Sequence, residues 1–298
     1  MDIGRYAREQ AANLLARFAF EVRRAVKSHD ASSIHGLRIT GRRFDEALLL
    51  FAPFFPEKEL RKVRKRLRRL MELAGNVRNH DVVLVLAKSL GLTAEDSAVR
   101  KLRETRSDAA RNLGTLLKKF VRRDFSSRWR GRLDLIDPEP ARGKAVQVTV
   151  AKSARSALPL ATGRFFEAGR KAFASGGSAD ELHEFRLAAK SFRYSLELFQ
   201  PIYGPAMARR LESLRQLQKL LGDINDCVVA KEMLIEAGAL TNKRLLARLA
   251  QLKLARVAAF GHYWTEVIDA DGQQRSWIVY LSQFAGRRHS RLVMSTHG

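Results

Sequence analysis

The sequence has very little cysteine and no long hydrophobic run. Cys227 is the only cysteine among 298 residues, which excludes an intrachain disulfide and a zinc site built from cysteines. The longest apolar stretch, residues 47–55, contains a proline and is much shorter than the ~20 residues that a membrane-spanning helix needs. The N-terminal residues include Asp2, Arg5 and Arg8 and lack the apolar core of a secretory signal. We therefore expect a cytoplasmic protein without a transmembrane segment.

Motifs for catalysis are missing as well. The sequence contains no GxxxxGK[ST], GxGxxG or GxSxG pattern. His80 and Asp81 are adjacent, but no third or fourth residue stands at a spacing typical of a metal site. Apart from Asp81, no acid falls on an internal helix face, where general acid–base chemistry would need a pair. The sequence therefore predicts a protein that is not an enzyme and that uses no metal and no cofactor.

Acidic residues are far fewer than basic residues. The 55 lysines and arginines face 31 aspartates and glutamates, which gives a net charge of +24. Hydrophobic residues nevertheless make up 46% of the chain, enough for a substantial core, so the charge does not indicate a disordered polycation. An excess of this size indicates an acidic partner, such as nucleic acid, a phosphate polymer or an anionic membrane surface.

Helical periodicity runs through the whole sequence, and no alternating strand pattern interrupts it. Proline and glycine breakers separate predicted helices at residues 3–28, 33–52, 57–90, 95–129, 145–174, 179–200, 205–236, 241–268 and 273–286. A segment rich in Pro and Gly, residues 137–143, lies in the middle and is predicted to be a linker. We predict an all-α protein with an N-terminal helical half at 1–137, a C-terminal helical half at 138–290 and a basic tail at 291–298.

The two halves carry the same motif. HGLRITGR at residues 35–42 returns as HEFRLAAK at residues 183–190, 148 positions later. At ~100° per residue, the histidine and the two following cations of each copy fall within an arc of about 60°. The apolar residues that follow each motif fall on the opposite side of the helix. The repeat predicts an internal duplication into two four-helix bundles related by a pseudo-twofold axis, each with one basic helix face that binds an anion.

Further cations extend this predicted surface. Residues 57–90 form a predicted amphipathic helix with a basic outer face. Within it Asp81 falls on the apolar seam, where a carboxylate needs a partner, and Arg78 three residues earlier is predicted to supply it. The predicted binding residues are His35, Arg38, Arg42, Arg43, Arg64, Arg68, Arg78, His183, Arg186, Lys190, Arg193, Arg215 and Lys219.

These residues resemble the CHAD family, the conserved histidine α-helical domain. The family's first hallmark, an H-x-x-R-x-x-x-[RK]-R-like block, is matched at 35–43 and 183–190. Its second, an L-x-x-x-L-G-x-x-R-D-x-D-V-like block, is matched at 75–82 and 222–228. The likeness covers about residues 5–285. It implies a pseudo-symmetric pair of four-helix bundles whose basic surface and central pore bind inorganic polyphosphate, and an association with polyphosphate granules.

The match departs from the family pattern in both halves. The usual Arg-Asp pair of the second block reads Arg78-Asn79 in the first half and Asn225-Asp226 in the second. Ser191 stands where the second half is expected to have an arginine after its lysine. We therefore expect one continuous anion-binding surface with stronger binding by the first half.

The residues alone are compatible with several functions. A polyphosphate groove needs many Arg, Lys and His donors and no platform for base stacking. Non-specific nucleic-acid binding is the main alternative, although aromatic residues are only 8% of the chain and those beside the repeated motif fall on its apolar face. An accessory subunit of polyphosphate-metabolising enzymes is a further alternative. A peripheral membrane role ranks last, because the apolar helix faces are predicted to form the core.

Overall fold

Apolar residues recur at three- and four-residue spacing between the breakers, and the chain folds accordingly into helices. The computed structural model describes residues 2–135 and 149–283, in which the only β pairing is an isolated bridge between Asp2 and Thr149. The predicted all-α fold is confirmed. The helices are α1 Ile3–Lys27, α2 Ala31–Leu50, α3 Glu57–Ser89, α4 Ser97–Arg122, α5 Phe125–Arg132, α6 Val150–Ala174, α7 Ala179–Phe199, α8 Ala206–Glu236, α9 Lys243–Tyr263 and α10 Gln273–Gln283.

The first four helices pack in a ring. Each contacts the next along the chain, and α4 returns to α1. Short α5 closes one end of this group with Trp129, which is 1% exposed. The Trp129 ring stacks on Phe18 and Phe44 at centroid distances of 6.3 and 6.1 Å, and it meets Phe120 edge-on at 5.7 Å. These aromatic contacts fix the end of α4 and the start of α5 against α1 and α2.

The later helices form a second group. Helix α7 packs between α6 and α8, α8 packs on α9, and α10 returns to α6. Trp264 is the centre of its aromatic core and meets Phe185 edge-on at 5.2 Å. A Cβ at Gly169 would lie only 2.0 Å from the Trp264 ring. Glycine at this position is therefore what lets the indole pack against α6.

The two groups meet mainly through α2, α3, α7 and α8, and two apolar clusters extend across both groups. Helix α2 packs on α7, and α3 packs on α8. At one end of this contact, the Phe199 ring lies 6.3 Å from Tyr6 and 5.8 Å from Phe51. The Tyr6 hydroxyl donates a hydrogen bond to the carbonyl of Leu198. The basic motifs on α2 and α7 therefore lie where the two groups touch.

Two local predictions are wrong. The helix predicted at 95–129 is two helices, because Asp124 adopts a left-handed conformation with φ of 41° and begins a new helix as its N-cap. The predicted partner of Asp81 is also wrong. Its carboxylate accepts from Arg106 Nε on α4 at 2.8 Å, because Asp81 lies on the side of α3 that packs against α4.

Some predictions cannot be compared with the structure. The linker at 137–143, the boundary near residue 137 and the tail at 291–298 lie outside the described residues. Among the helices that are described, none is both long enough and apolar enough to cross a membrane.

Candidate anion-binding site

The repeated motif brings positive side chains from both groups of helices to one place. The apolar residues that follow each copy are buried, among them Phe44 and Leu48 on α2 and Phe192 and Leu196 on α7. The cations on the other side of α2 and α7 face each other where these helices pack, and one cation from α3 joins them. We call this group the central cation cluster; its members are Arg38, Arg42, Arg78, Arg186 and Lys190.

Local backbone features hold the first copy in position. Helix α2 begins after Asp30, whose carboxylate accepts from the Ser33 amide at 2.7 Å. Two turns later, the Arg38 side chain crosses to α3, where its Nη1 donates to the Met71 carbonyl at 3.3 Å. A Cβ at Gly75 would lie 2.6 Å from this Nη1. The glycine of the second sequence block therefore provides the space that the Arg38 guanidinium occupies.

The cluster is partly desolvated and repels itself. Burial, followed by repulsion from Arg42 and Arg186, lowers the pKa of the Lys190 ammonium to about 6. Burial, followed by repulsion from Arg42 and Arg78, lowers the pKa of Arg38 to about 9. Within the described ranges, no member of the cluster forms an ion pair with a carboxylate. The fold thus holds several cations together without a counterion of its own.

One partly buried carboxyl group interacts with the cluster from α8. Asp226 on α8 interacts electrostatically with Arg78 and Arg186, but burial dominates and raises the pKa of its carboxyl. Burial lowers the pKa of Arg186, and the nearby Asp226 only partly opposes that effect. A single buried carboxyl with a raised pKa is too little negative charge to neutralise five cations.

A groove gives solvent access to the cluster. Its volume is about 480 Å³, and Arg42, Arg68 and Lys190 line it together with Tyr194. Of the three acidic residues that line it, Glu72 forms no ion pair with a described residue, whereas Asp45 accepts a two-point contact from Arg64 at 2.7 and 3.3 Å. Ser191 donates to Glu46 at 2.5 Å and so links α7 to α2. The groove therefore opens beside cations that form no ion pair with a described residue.

The two motif histidines differ in their surroundings. His35 is exposed at the edge of the cluster, and partial burial followed by repulsion from Arg78 and Arg38 lowers the pKa of its imidazole. His183 is also exposed on α7, but it makes no hydrogen bond or ion pair with any described residue. The structure therefore brings His35 to the cluster and leaves His183 at the surface.

Comparison with known proteins identifies the family. The CHAD domain model matches residues 5–235. The chain belongs to the CHAD domain family. The crystal structure of the CHAD domain from the plant Ricinus communis is similar, with a TM-score of 0.60 at 20% identity over 94% of this chain and 92% of that chain. PptA from Streptomyces chartreusis has a TM-score of 0.59 at 18% identity over 89% and 99% of the two chains. At these identities the two structures show the fold alone. No curated protein matches at a significant level.

In this CHAD domain, most of the other predicted binding arginines and lysines have protein partners, whereas Arg68 is exposed, lines the groove and forms no ion pair with a described residue. Glu197 accepts from Arg43 at 3.1 Å and also from Arg193, so it joins α2 to α7. Arg193 also donates to Gln218 at 2.6 Å on α8. On the exposed face of α8, two further predicted cations pair within the helix: Arg215 with Glu212 and Lys219 with Asp223. Sequence reasoning missed the role of Gly75 in seating Arg38 and the place of Asp226 beside the cluster.

The lowered pKa of Lys190 predicts a pH dependence of stability. Its pKa is about 6 in the folded protein and near the ordinary value of 10.5 when unfolded, so the unfolded chain binds more protons between these values. Stability of the free protein should therefore rise as pH increases from 6 towards 10. Replacing Lys190→Met should raise the melting temperature at pH 7 and flatten this dependence, as measured by thermal unfolding at several pH values.

The matched control is Lys65→Met, because Lys65 is exposed on α3 and forms no ion pair with a described residue. It should leave the pH dependence unchanged. Equal pH dependence in the wild type and the Lys190→Met variant would contradict the burial of a repelled ammonium at this position.

Proposed function

We propose that this CHAD domain binds inorganic polyphosphate without catalysing a reaction. The observation that carries the proposal is the central cation cluster, in which five cations from α2, α3 and α7 share one site and none pairs with a carboxylate in the described ranges. A polyanion would supply the missing counter-charge and relieve the repulsion. The CHAD family is associated with polyphosphate- and triphosphate-related proteins, which supports this choice of anion.

The chemistry of the cluster favours a phosphate polymer over nucleic acid. Arginine forks bridge phosphate oxygens with two parallel hydrogen bonds, and the cluster contains four arginines. Base stacking needs exposed aromatic faces, but the one aromatic side chain lining the groove, Tyr194, is 7% exposed. Arg193 lies over the Tyr194 ring at 4.5 Å and covers it further. A narrow, flexible chain of phosphates therefore suits this site better than a strand with bases.

The proposal includes the internal duplication into two four-helix bundles about a pseudo-twofold axis. The pairing of α2 with α7 and of α3 with α8 supports it, because these are the helices that carry the repeated sequence blocks. Equivalent motifs from the two bundles then line one site. Cytoplasmic location and association with polyphosphate granules follow from the proposed ligand.

Charge reversal in the cluster should separate binding from folding. Arg42→Glu with Lys190→Glu places two carboxylates among the remaining arginines, so polyphosphate affinity should fall by about a hundredfold while the melting temperature rises. Titration at several salt concentrations should also show a shallower dependence of log affinity on log salt, by about 1.5 or more. The measurements are isothermal titration calorimetry with polyphosphate and thermal unfolding.

A matched control changes the net charge equally. Arg100→Glu with Arg103→Glu alters two exposed α4 arginines that form no ion pair with a described residue, and it should reduce affinity by less than about threefold. Equal losses in the two double variants would mean that only the overall charge matters. Duplex or single-stranded DNA that binds the wild type as tightly as polyphosphate, at matched charge and salt, would overturn the choice of ligand.

The glycine beneath Arg38 gives a milder test. Gly75→Ala should raise helix stability by about 0.5–1 kcal/mol, yet its methyl group would occupy the position of Arg38 Nη1 and displace the guanidinium. Polyphosphate affinity should therefore fall by about threefold or more. Gly222→Ala is the control: it changes the equivalent glycine of α8, where an added Cβ has no neighbour within 4 Å. Gly222→Ala should stabilise the protein and leave polyphosphate affinity unchanged. If both variants bind polyphosphate equally well, Arg38 does not contribute to the site.

A further inference from the structure

A second basic pocket lies apart from the central groove, where α4 ends and α5 begins over α3. Its volume is about 290 Å³, at the lower end of the range for small-molecule pockets (~300–1,000 Å³). Five cations surround it: Arg66, Arg69, Lys119, Arg123 and Arg128. No residue is shared with the central groove, although Arg68 on the same helix lines that groove.

The charge of this pocket is not neutralised by the protein. All five of its cations are exposed, and within residues 2–135 and 149–283 none of them pairs with a carboxylate. No acidic residue lines the pocket, whereas Asp45, Glu46 and Glu72 line the central groove. An anion with several negative charges therefore meets donors from three directions and no opposing carboxylate.

The pocket also has an apolar wall, which a bare phosphate chain would not use. Leu116 is the half-buried, accessible part of this wall, and Phe120 (9% exposed) and Trp129 (1% exposed) lie behind it. The stacking of Trp129 on Phe18 and Phe44 fixes the position of its indole, so the wall is rigid before any ligand binds. The combination of an apolar wall with a ring of cations fits a ligand that has a flat, weakly polar part and a multiply charged part.

We propose that this pocket binds a nucleotide carrying two or three phosphates. Its phosphates would contact Arg66, Arg69 and Arg123, and its base would lie over Leu116, between the guanidinium groups of the rim. Arginine guanidinium groups at the rim add stacking contacts to a base as well as charge. This site is additional to the proposed polyphosphate site and does not depend on it.

The test is isothermal titration calorimetry of the full chain with ATP and with inorganic tripolyphosphate. Both probes carry a triphosphate, but only ATP has a base. The Arg42→Glu/Lys190→Glu protein is the starting point, because it removes competing phosphate binding at the central cluster. In this protein ATP should bind at one site, at least about fivefold more tightly than tripolyphosphate. Adding Arg69→Glu with Arg123→Glu should weaken ATP binding by about tenfold or more.

Three results would overturn the nucleotide assignment. The first is no ATP binding up to millimolar concentration. The second is tripolyphosphate binding as tight as that of ATP, which would make the pocket a second site for inorganic anions. The third is an equal loss of ATP affinity with Arg100→Glu/Arg103→Glu in place of Arg69→Glu/Arg123→Glu. That result would mean that ATP is attracted by the overall positive charge of the protein and not by this pocket. A failure of the polyphosphate proposal is recognised separately, since it leaves the wild-type polyphosphate affinity low or insensitive to Arg42→Glu/Lys190→Glu.

Discussion

Mutual repulsion within the central cation cluster is the constraint on which the structure depends. Five positive side chains lie together between α2, α3 and α7, partly removed from water and without a paired carboxylate in the described ranges. Such an arrangement opposes folding, because both desolvation and like charge disfavour the charged forms. The lowered pKa of Lys190 is the direct expression of that cost. The favourable free energy of folding must come from elsewhere, and the extensive apolar core shared by the two groups of helices supplies it.

Acidic residues are used to join helices and leave the cluster unneutralised. Glu197 holds one arginine from each of α2 and α7, and Glu46 on α2 is tied to Ser191 on α7. These contacts fix the packing of the two basic helices, so that the cluster keeps its geometry in the absence of an anion. Preorganisation of this kind reduces the conformational entropy that a flexible polyanion must offset when it binds. The cations thus divide into those that form ion pairs and those that have no carboxylate partner in the described ranges.

Helical periodicity along the sequence was sufficient to predict the all-α fold, and the repeated motif predicted the buried faces of α2 and α7 and the grouping of their cations. Helical periodicity reports which face of a helix is apolar, and that information is local. The identity of a partner residue on another helix is not local information and cannot be read from periodicity. Two ion pairs depend on how helices pack in three dimensions: Asp81 with Arg106, and Arg43 with Glu197. The break between α4 and α5 at Asp124 depends on how the chain turns there. For the same reason, the sequence did not distinguish Arg42, which pairs with no carboxylate among the described residues, from the adjacent Arg43, which pairs with Glu197.

Proton uptake on binding tests the central claim most directly. A polyanion that neutralises the cluster would raise the pKa values of Lys190 and His35 back towards their ordinary ranges, so that the complex at pH 7 holds more protons than the free protein. Calorimetric titration of polyphosphate at pH 7, in two buffers with different ionisation enthalpies, counts these protons. Net uptake by the wild type, reduced in the Lys190→Met variant, is the predicted result. Tight binding with no proton exchange would contradict the account of a repelled, desolvated cluster that the ligand completes.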